Sequence, residues 1–402
     1  MQAPQLQFTL YSKAFGLIGN VSSPMEAHVT IAANAAGTAS LTVDNNDPRI
    51  AALATPGCRC VVSYRQRNSY TWTPIFSGPV DEDSGHGNAG DGTTFTVSDD
   101  WAEIFNGLIG YPKPANSIDN QGAEGVFYTQ TGAAETVLKN VVTAMAARQG
   151  VPITVPATTG LGSSVTVSFR FDTLVDKLFP AVDKAGVLAR VIQVGNARTL
   201  LCSAPGTVQT ITEGSKVVAD YEYSRKRPEL TRCIVATGSA TDATQRAFRE
   251  YVLLEDGVTV KRVTDLAAGD VTLESALNVS KTTLVEVSGD SGTLDQLMLQ
   301  TAKDTLATGS QQVSLAMTLQ ETPQWEYGVN YMVGDRVPVQ LAGQPVITDY
   351  IRTVDFDFDR EGLIVTPTVG DWASTEDAPS NALTEAVAAL SKVVRTRQRN
   401  FK

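Results

Sequence analysis

The stretch that most constrains this chain lies near its end, residues 327–371, reading YGVNYMVGDRVPVQLAGQPVITDYIRTVDFDFDREGLIVTPTVGD. From Asp335 the apolar Val337, Val339 and Leu341 alternate with Arg336, Pro338 and Gln340, and a period of two marks a half-buried strand. Ala342-Gly343-Gln344-Pro345 is turn chemistry. The longer alternating run that follows puts Val354, Phe356 and Phe358 on one face and Asp355, Asp357 and Asp359 on the other. Asp359-Arg360-Glu361-Gly362 suits a tight hairpin in which Gly362 takes a positive φ, and 363–369 is the returning strand. This is a β-meander with nothing catalytic in it. Its three aspartates repel one another, so they must face water, an ion or a basic partner.

A chain of 402 residues holds roughly two to four domains. Apolar content of 42% and charged content of 19% are those of a folded globular protein. Gly, Thr, Val and Ala are abundant and long charged helices few, which favours a mainly β, α+β chain. No run approaches the ~18 apolar residues of a membrane span. The opening MQAPQLQFTLYSK lacks a basic region followed by an apolar core, so synthesis and folding in a cytosol are expected. A net charge of −11 argues against general affinity for nucleic acid. Cys58, Cys60, Cys202 and Cys233 make neither a disulfide scaffold nor a zinc set, and are read as buried free thiols.

Taken in order, 1–110 reads as a β-domain. Leu6, Phe8 and Leu10 alternate, 28–31 and 39–43 suit one strand pair, 60–64 and 73–80 another, and a Gly- and Asp-rich loop at 81–92 leads to a strand at 93–98. A short helix follows over 101–108. Residues 111–215 form an α/β domain: a Pro/Gly/Asn-rich connector, a helix over 131–148, a strand over 165–169, and a helix over 172–183 with Asp172 as its cap and Pro180 kinking or splitting it. Two strands follow. Strands recur at 217–223 and 232–236, a hairpin at 251–264, a helix at 292–307 and a strand at 313–319. Residues 381–397 make a terminal amphipathic helix with Leu383, Val387, Leu390 and Val394 spaced as a two-heptad seam. It packs on its own domain, or it self-associates or docks on a partner through its basic end.

Two patterns imitate active sites. Gly289-Asp290-Ser291-Gly292 matches a serine-protease core, but Thr293-Leu294 and a helix follow it, and His28 and His86 lie far upstream without the surroundings a triad needs. It reads as a turn before a helix. Asp81, Glu82, Asp83 and Asp91 depart from calcium-loop spacing and read as a solvated hairpin loop. No phosphate loop, dinucleotide fingerprint or metalloprotease motif occurs. No cofactor, metal or catalytic residue is expected.

The order of features in the meander resembles the tail hub, or minor tail, proteins of long-tailed actinobacterial phages, which are distantly similar to the hubs of contractile tails and type VI secretion. The resemblance is carried by Tyr327, Gly328, Tyr331, Gly334, Asp335, Val337, Val339, Gly362, Pro367 and Gly370. The strand Ile75 to Val80, the segment Val97-Ser98-Asp99-Asp100-Trp101 and the strand–helix–strand unit at 169–191 are similar to earlier parts of that family. It implies two tail-tube-like β-barrel domains, 1–110 and 216–240 plus 310–372, with smaller α/β domains at 111–215 and 241–309 and a linker and helix at 373–402. It further implies a non-enzymatic homotrimeric ring at the distal end of the tail in the virion. That ring would adapt a sixfold tube to a threefold tip and leave a channel for DNA, with Asp355, Asp357 and Asp359 as candidate lining. The implied partners are the tail tube, a distal tail protein, the tape measure protein and tail fibre or spike proteins. A receptor- or cell-wall-binding tip protein is the alternative, and a tail-associated hydrolase using Ser291 or the Asp81–Asp91 loop a further one.

Overall fold

A computed structural model describes residues 3–22, 24–85, 92–122, 126–226, 230–237, 247–256, 259–287, 294–308, 312–343 and 346–370. The terminal seam residues Leu383, Val387, Leu390 and Val394, the Gly289–Gly292 turn, His86 and Asp91 lie outside them. The chain is mainly β and α+β. It divides into two compact units, one made of Met1–Tyr221 and Ala316–Asp371, the other centred on Glu222–Leu315.

The first unit opens with β1 (Gln5–Tyr11), β2 (Leu17–Asn20), β3 (Pro24–Ala32), β4 (Thr38–Asp44), a one-turn α1 (Ile50–Leu53), β5 (Arg59–Arg65), β6 (Thr73–Gly85) and β7 (Gly92–Ser98). After α2 (Asp100–Phe105) come β8 (Ile109–Gly110), β9 (Tyr128–Ala133), α3 (Ala134–Gln149), β10 (Ser164–Phe169), β11 (Asp172–Thr173), α4 (Leu174–Lys184), β12 (Leu188–Val194), β13 (Ala197–Ser203) and β14 (Ile211–Thr212). β15 (Val218–Lys226) leads towards the second unit, which holds β16 (Arg232–Thr237), β17 (Phe248–Leu253), β18 (Val260–Arg262), α5 (Leu273–Leu277), β19 (Thr282–Val287) and α6 (Leu294–Thr308). β20 (Gln312–Leu319), β21 (Arg336–Gln340), β22 (Ile347–Asp359) and β23 (Gly362–Gly370) close the described chain.

The meander folds as its periodicity demands: β21 pairs with β22 and β22 with β23, both antiparallel. Its apolar face is fully buried at Val337, Val339, Val354 and Phe356. One strand path runs β15-β20-β23-β22-β3-β4-β7-β6-β5-β1-β2. The contact between β3 and β22, in antiparallel register from Thr353↔Ala32 to Phe358↔Ala27, welds the N-terminal strands to the C-terminal meander. Counting outward from that seam, β3, β4, β7 and β6 lie on one side and β22, β23, β20 and β15 on the other. Gly78 in β6 sits where an added Cβ would fall 1.5 Å from the Ser98 carbonyl oxygen, so only glycine admits the strand there.

Beside these strands, α2, α3 and α4 share an apolar core with β10, β12 and β13. Trp101, Phe105 and Phe179 form its centre, with ring centroids 4.6–5.1 Å apart. One charged pair is buried here. Glu135 accepts from Thr159 N–H (2.9 Å), Thr159 Oγ1 (2.8 Å) and Leu161 N–H (2.9 Å), and Lys139 Nζ donates to it at 2.6 Å. Burial pushes the Glu135 carboxyl up, but these hydrogen bonds outweigh it and hold the group down at about 2.

Four local expectations are corrected. Asp81–Gly85 is not a loop but the second half of β6, paired with β7, because Glu82 and Ser84 sit opposite Thr96 and Thr94 and keep the alternation. Residues 131–133 extend β9 rather than open the helix. Thr173, not Asp172, caps α4: its Oγ1 accepts from Asp176 N–H at 3.3 Å, while Asp172 accepts from Arg170 N–H at 2.9 Å. Pro180 sits inside α4 without dividing it, since both it and Asp176, whose carbonyl loses an N–H partner, are solvent-exposed.

In the second unit β16 pairs antiparallel with β17 and parallel with β19, rather than joining the meander as the resemblance implied. Cys233, Val235 and Tyr251 pack against Met298, Ala302 and Leu306 of α6, and Arg232 bridges Glu250 and Glu274, each at 2.5 Å. All four cysteines are free, and Cys58, Cys60 and Cys233 are buried.

Replacing Glu135 by Gln leaves the Lys139 ammonium buried without a counter-charge, and should cost about 3 kcal/mol in urea unfolding at pH 7. Because its folded pKa is depressed, the Glu135 contribution is complete above about pH 4.5 and is lost as pH falls towards 2. The gap between wild type and Glu135→Gln should therefore shrink across that window.

Candidate functional site: the polar face of the long strand path

Alternation along a strand that buries one face delivers the other to solvent. Across β23, β22, β3, β4, β7 and β6 these outward residues line up in rows. One row runs Ile364, Asp357, His28, Ser40, Thr96 and Glu82; the next runs Thr366, Asp355, Thr30, Thr38 and Ser98; a shorter one runs Glu26, Thr42, Thr94 and Ser84. Apart from His28 and the exposed Ile364 the composition is hydroxyl and carboxylate, with no Lys or Arg in these rows.

The rows are knitted together by side chains. His28 Nδ1 lies 2.5 Å from Asp357 Oδ1, and His28 Nε2 lies 3.1 Å from Thr30 Oγ1. Thr30 Oγ1 donates to Asp355 Oδ1 at 2.5 Å, and Thr42 and Thr94 hydroxyls meet at 2.8 Å. His28 and Asp357 remain about half exposed, at 50% and 52%. The Asp–His–Thr order has the connectivity of a catalytic triad, yet it lies on a flat ladder whose backbone N–H groups are engaged between strands. It lacks the convergent donors an oxyanion requires. Asp359 has a different task from its two neighbours: its Oδ1 accepts from Glu361 N–H (2.7 Å) and Gly362 N–H (3.1 Å), closing the β22–β23 turn. Gly362 takes a φ of +135° there.

The remaining signature residues of the meander are structural in placement. Tyr327 and Tyr331 are buried and lie edge-on at 5.7 Å, and Trp325 stacks on Tyr331 at 4.0 Å. Tyr64 of β5 and Phe356 of β22 complete this aromatic cluster. Gly328 N–H donates to the Tyr331 carbonyl at 2.8 Å. Asp335 accepts from Gly206 N–H (2.7 Å) and Met332 N–H (2.8 Å). Gly334 has a φ of +89°, and a Cβ there would lie 2.4 Å from Leu188 Cδ1. Pro367 lies on the buried side of β23 opposite Val354, and Gly370 ends that strand with a φ of +76°.

Two polar centres were not singled out from sequence. Asp100, fully buried, is held by Arg59 Nη2 at 2.6 Å to each oxygen and by Ser77 Oγ at 2.6 Å, while Arg59 Nε donates to Gln193 at 2.8 Å. Glu321 accepts from Tyr327 N–H at 2.6 Å and Tyr331 Oη at 2.9 Å, and burial raises its pKa to about 7 despite those donors. Glu326 Oε1 accepts from Arg67 N–H at 2.5 Å, tying the β5–β6 loop to the meander. A lone charged residue inside an otherwise ordinary strand or loop carries no local sign of such partners.

Among the described residues no group of three or more His, Cys, Asp or Glu is placed to hold a metal, and no helix is long and apolar enough to cross a membrane.

The fold is that of phage tail proteins. The chain superposes on the 43 kDa tail protein of prophage MuSo2 from Shewanella oneidensis with a TM-score of 0.51 and 13% identity, over 90% of this chain and 98% of that one. A tail protein from Neisseria meningitidis MC58 aligns at 0.49 and 11%, over 92% and 97%. Prophage tail protein gp18 from Listeria monocytogenes EGD-e aligns at 0.49 and 9%, over 97% and 99%. At these identities the likeness is one of fold. The family model of Siphovirus ReqiPepy6 Gp37-like proteins matches residues 7–371, and the chain belongs to that family. No curated protein matches it.

The raised pKa of Glu321 gives the aromatic cluster a pH signature. A carboxyl whose folded pKa lies above its unfolded value stabilises most below about pH 4.5, and that stabilisation is lost as pH rises through about 7. Glu321→Gln keeps the accepting oxygen and removes the charge. It should match wild type near pH 4.5 and exceed it by about 2 kcal/mol at pH 8 in chemical denaturation.

Proposed function

We propose that this chain is a structural, non-enzymatic hub of a siphovirus tail, forming a trimeric ring at the distal end of the tail tube around a passage for DNA. The observation that carries the reading is the mainly polar face that crosses the β3–β22 seam from β23 to β6, on a strand path with four strands on either side of that seam out to β15 and β6. Two strand groups per chain, repeated three times, present six similar elements to a sixfold tube while keeping a threefold axis for the tip. The face itself suits a passage. DNA binding draws its affinity from neutralised phosphates and released counterions, and a wall of Thr, Ser, Asp and Glu offers neither. Asp355 and Asp357 are its centre.

The partners this reading names are the tail tube and distal tail protein above, the tape measure protein within, and fibre or spike proteins below. Membership of a siphovirus family and the tail-protein fold support it.

Negative-stain averages and native mass of the purified chain, alone and with its tail tube, should show a three-copy ring with a central hole. Immunolabelled virions carrying it anywhere but the tail tip would refute the reading. The lining is tested separately. Asp355→Arg combined with Asp357→Arg should convert a chain that ignores duplex DNA at low salt into one that retards it in a gel, with the binding lost as salt rises. In phage, the same variant should slow DNA ejection. Unchanged ejection together with new DNA binding would place this face outside the passage.

A further inference from the structure

A cleft of about 610 Å³ opens in the first unit between two segments far apart in sequence. One wall is the stretch around β14, from Gln209 to Val217, and the other is the turn Thr322–Trp325. Main-chain contacts fix both. β14 lies parallel to β21, through Ile211 opposite Val339. Trp325 N–H donates to the Thr322 carbonyl at 3.0 Å and Thr322 N–H to the Trp325 carbonyl at 3.2 Å, which closes the turn. Gln320 N–H donates to the Val217 carbonyl at 2.8 Å and Gln320 Nε2 to the Lys216 carbonyl at 2.9 Å, so the chain entering the turn is tied to the opposite wall. The volume lies in the ~300–1,000 Å³ range of small-ligand sites.

The lining combines one rigid aromatic surface with neutral hydrogen-bonding groups. Trp325 is half-buried and stacks on Tyr331 at 4.0 Å with 18° between the rings. Tyr331 is itself buried, and its hydroxyl donates to Glu321 at 2.9 Å. The indole surface that lines the cleft is therefore held in place before anything binds. Around it stand Gln209, Thr210, Ser215, Thr322 and Gln324, and Lys216 is the one charged residue among the described lining. These six side chains make no hydrogen bond or ion pair within the described residues.

Such a lining selects its ligand by exclusion. A divalent cation requires carboxylates, which this lining lacks. A nucleotide would stack on the indole, but its phosphates would find a single ammonium and no helix N-terminus. A wholly apolar ligand would strip water from the amides and hydroxyls without replacing their hydrogen bonds. Amides and hydroxyls both donate and accept, as sugar hydroxyls do, and the C–H face of a pyranose ring is apolar enough to lie on an indole.

We propose that this cleft binds an uncharged saccharide, with one pyranose ring on Trp325 and its hydroxyls held by Gln209 and Gln324 from opposite walls. None of these residues belongs to the polar face described above, and the proposal does not rest on the ring reading.

A glycan array of neutral and N-acetylated oligosaccharides, probed with the purified full-length chain, tests it, followed by saturation-transfer NMR on the saccharides retained. At least one class should bind, with the strongest transfer at its ring C–H protons. Trp325→Ala should weaken that binding about tenfold or more, and Trp325→Phe should keep part of it. Because Trp325 also packs on Tyr331, Gln209→Ala with Gln324→Ala gives an arm that leaves the stack intact. Both glutamines are exposed, so this variant should lose binding while its circular dichroism stays that of wild type. An array without a hit would overturn the proposal. Binding that survives both Trp325→Ala and the double glutamine variant would put the saccharide elsewhere and overturn it too. Adenosine triphosphate bound in a Trp325-dependent way, with every saccharide ignored, would give the cleft to a nucleotide instead. Each result is read on the isolated chain, so none of them bears on where the chain sits in the tail.

Discussion

The pairing of β3 with β22 is the constraint on which the rest of the first unit depends. It joins residues more than 320 positions apart, such as Thr30 and Asp355, so its loop-closure cost is paid over most of the chain. What returns that cost is a ladder with Val29 and Ile31 of β3 and Val354 and Phe356 of β22 buried on one side. A slip of one residue would invert those faces, exposing Phe356 and burying Asp355 and Asp357. The register is therefore set by burial, and the polar face is its consequence.

Buried charge performs a second job, fixing the elements around that seam. Asp100 at the start of α2 gathers Arg59 from β5, Ser77 from β6 and, through Arg59, Gln193 from β12. Glu326 and Glu321 do the same for the turn that precedes β21, holding Arg67 N–H, Tyr327 N–H and the Tyr331 hydroxyl. Each carboxylate is expensive to bury and would be costly to orphan, so each penalises arrangements in which its donors are displaced. Against the adjoining helices the fastening is apolar, through the Trp101, Phe105 and Phe179 rings.

A phage-tail fold carrying an acidic, hydroxyl-rich sheet face is economical for an assembly protein. Asp359 stands apart from that face, because its carboxylate closes the β22–β23 turn.

Much of this was legible locally. Period-two alternation located β1 and the β21–β23 meander, strand-forming composition between turn residues located β3, β4, β5, β7 and the first half of β6, and alternation assigned Asp355 and Asp357 to a solvent face, because it depends only on burial of one side. It failed where the local signal was shared by two outcomes. Acidic residues 81–85 read as loop but continue β6, since a strand edge in water tolerates carboxylates as well as a loop does. Pro180 read as a breaker but lies on the wet side of α4. By itself the sequence determined the class of chain, the faces of its strands and the glycines that its turns require. Only the tertiary structure decided which strands became neighbours: β3 beside β22, β16 with β17 and β19, and Arg59 around Asp100. Pairings over such separations are chosen by the complementarity of whole buried surfaces, and no single segment carries that information.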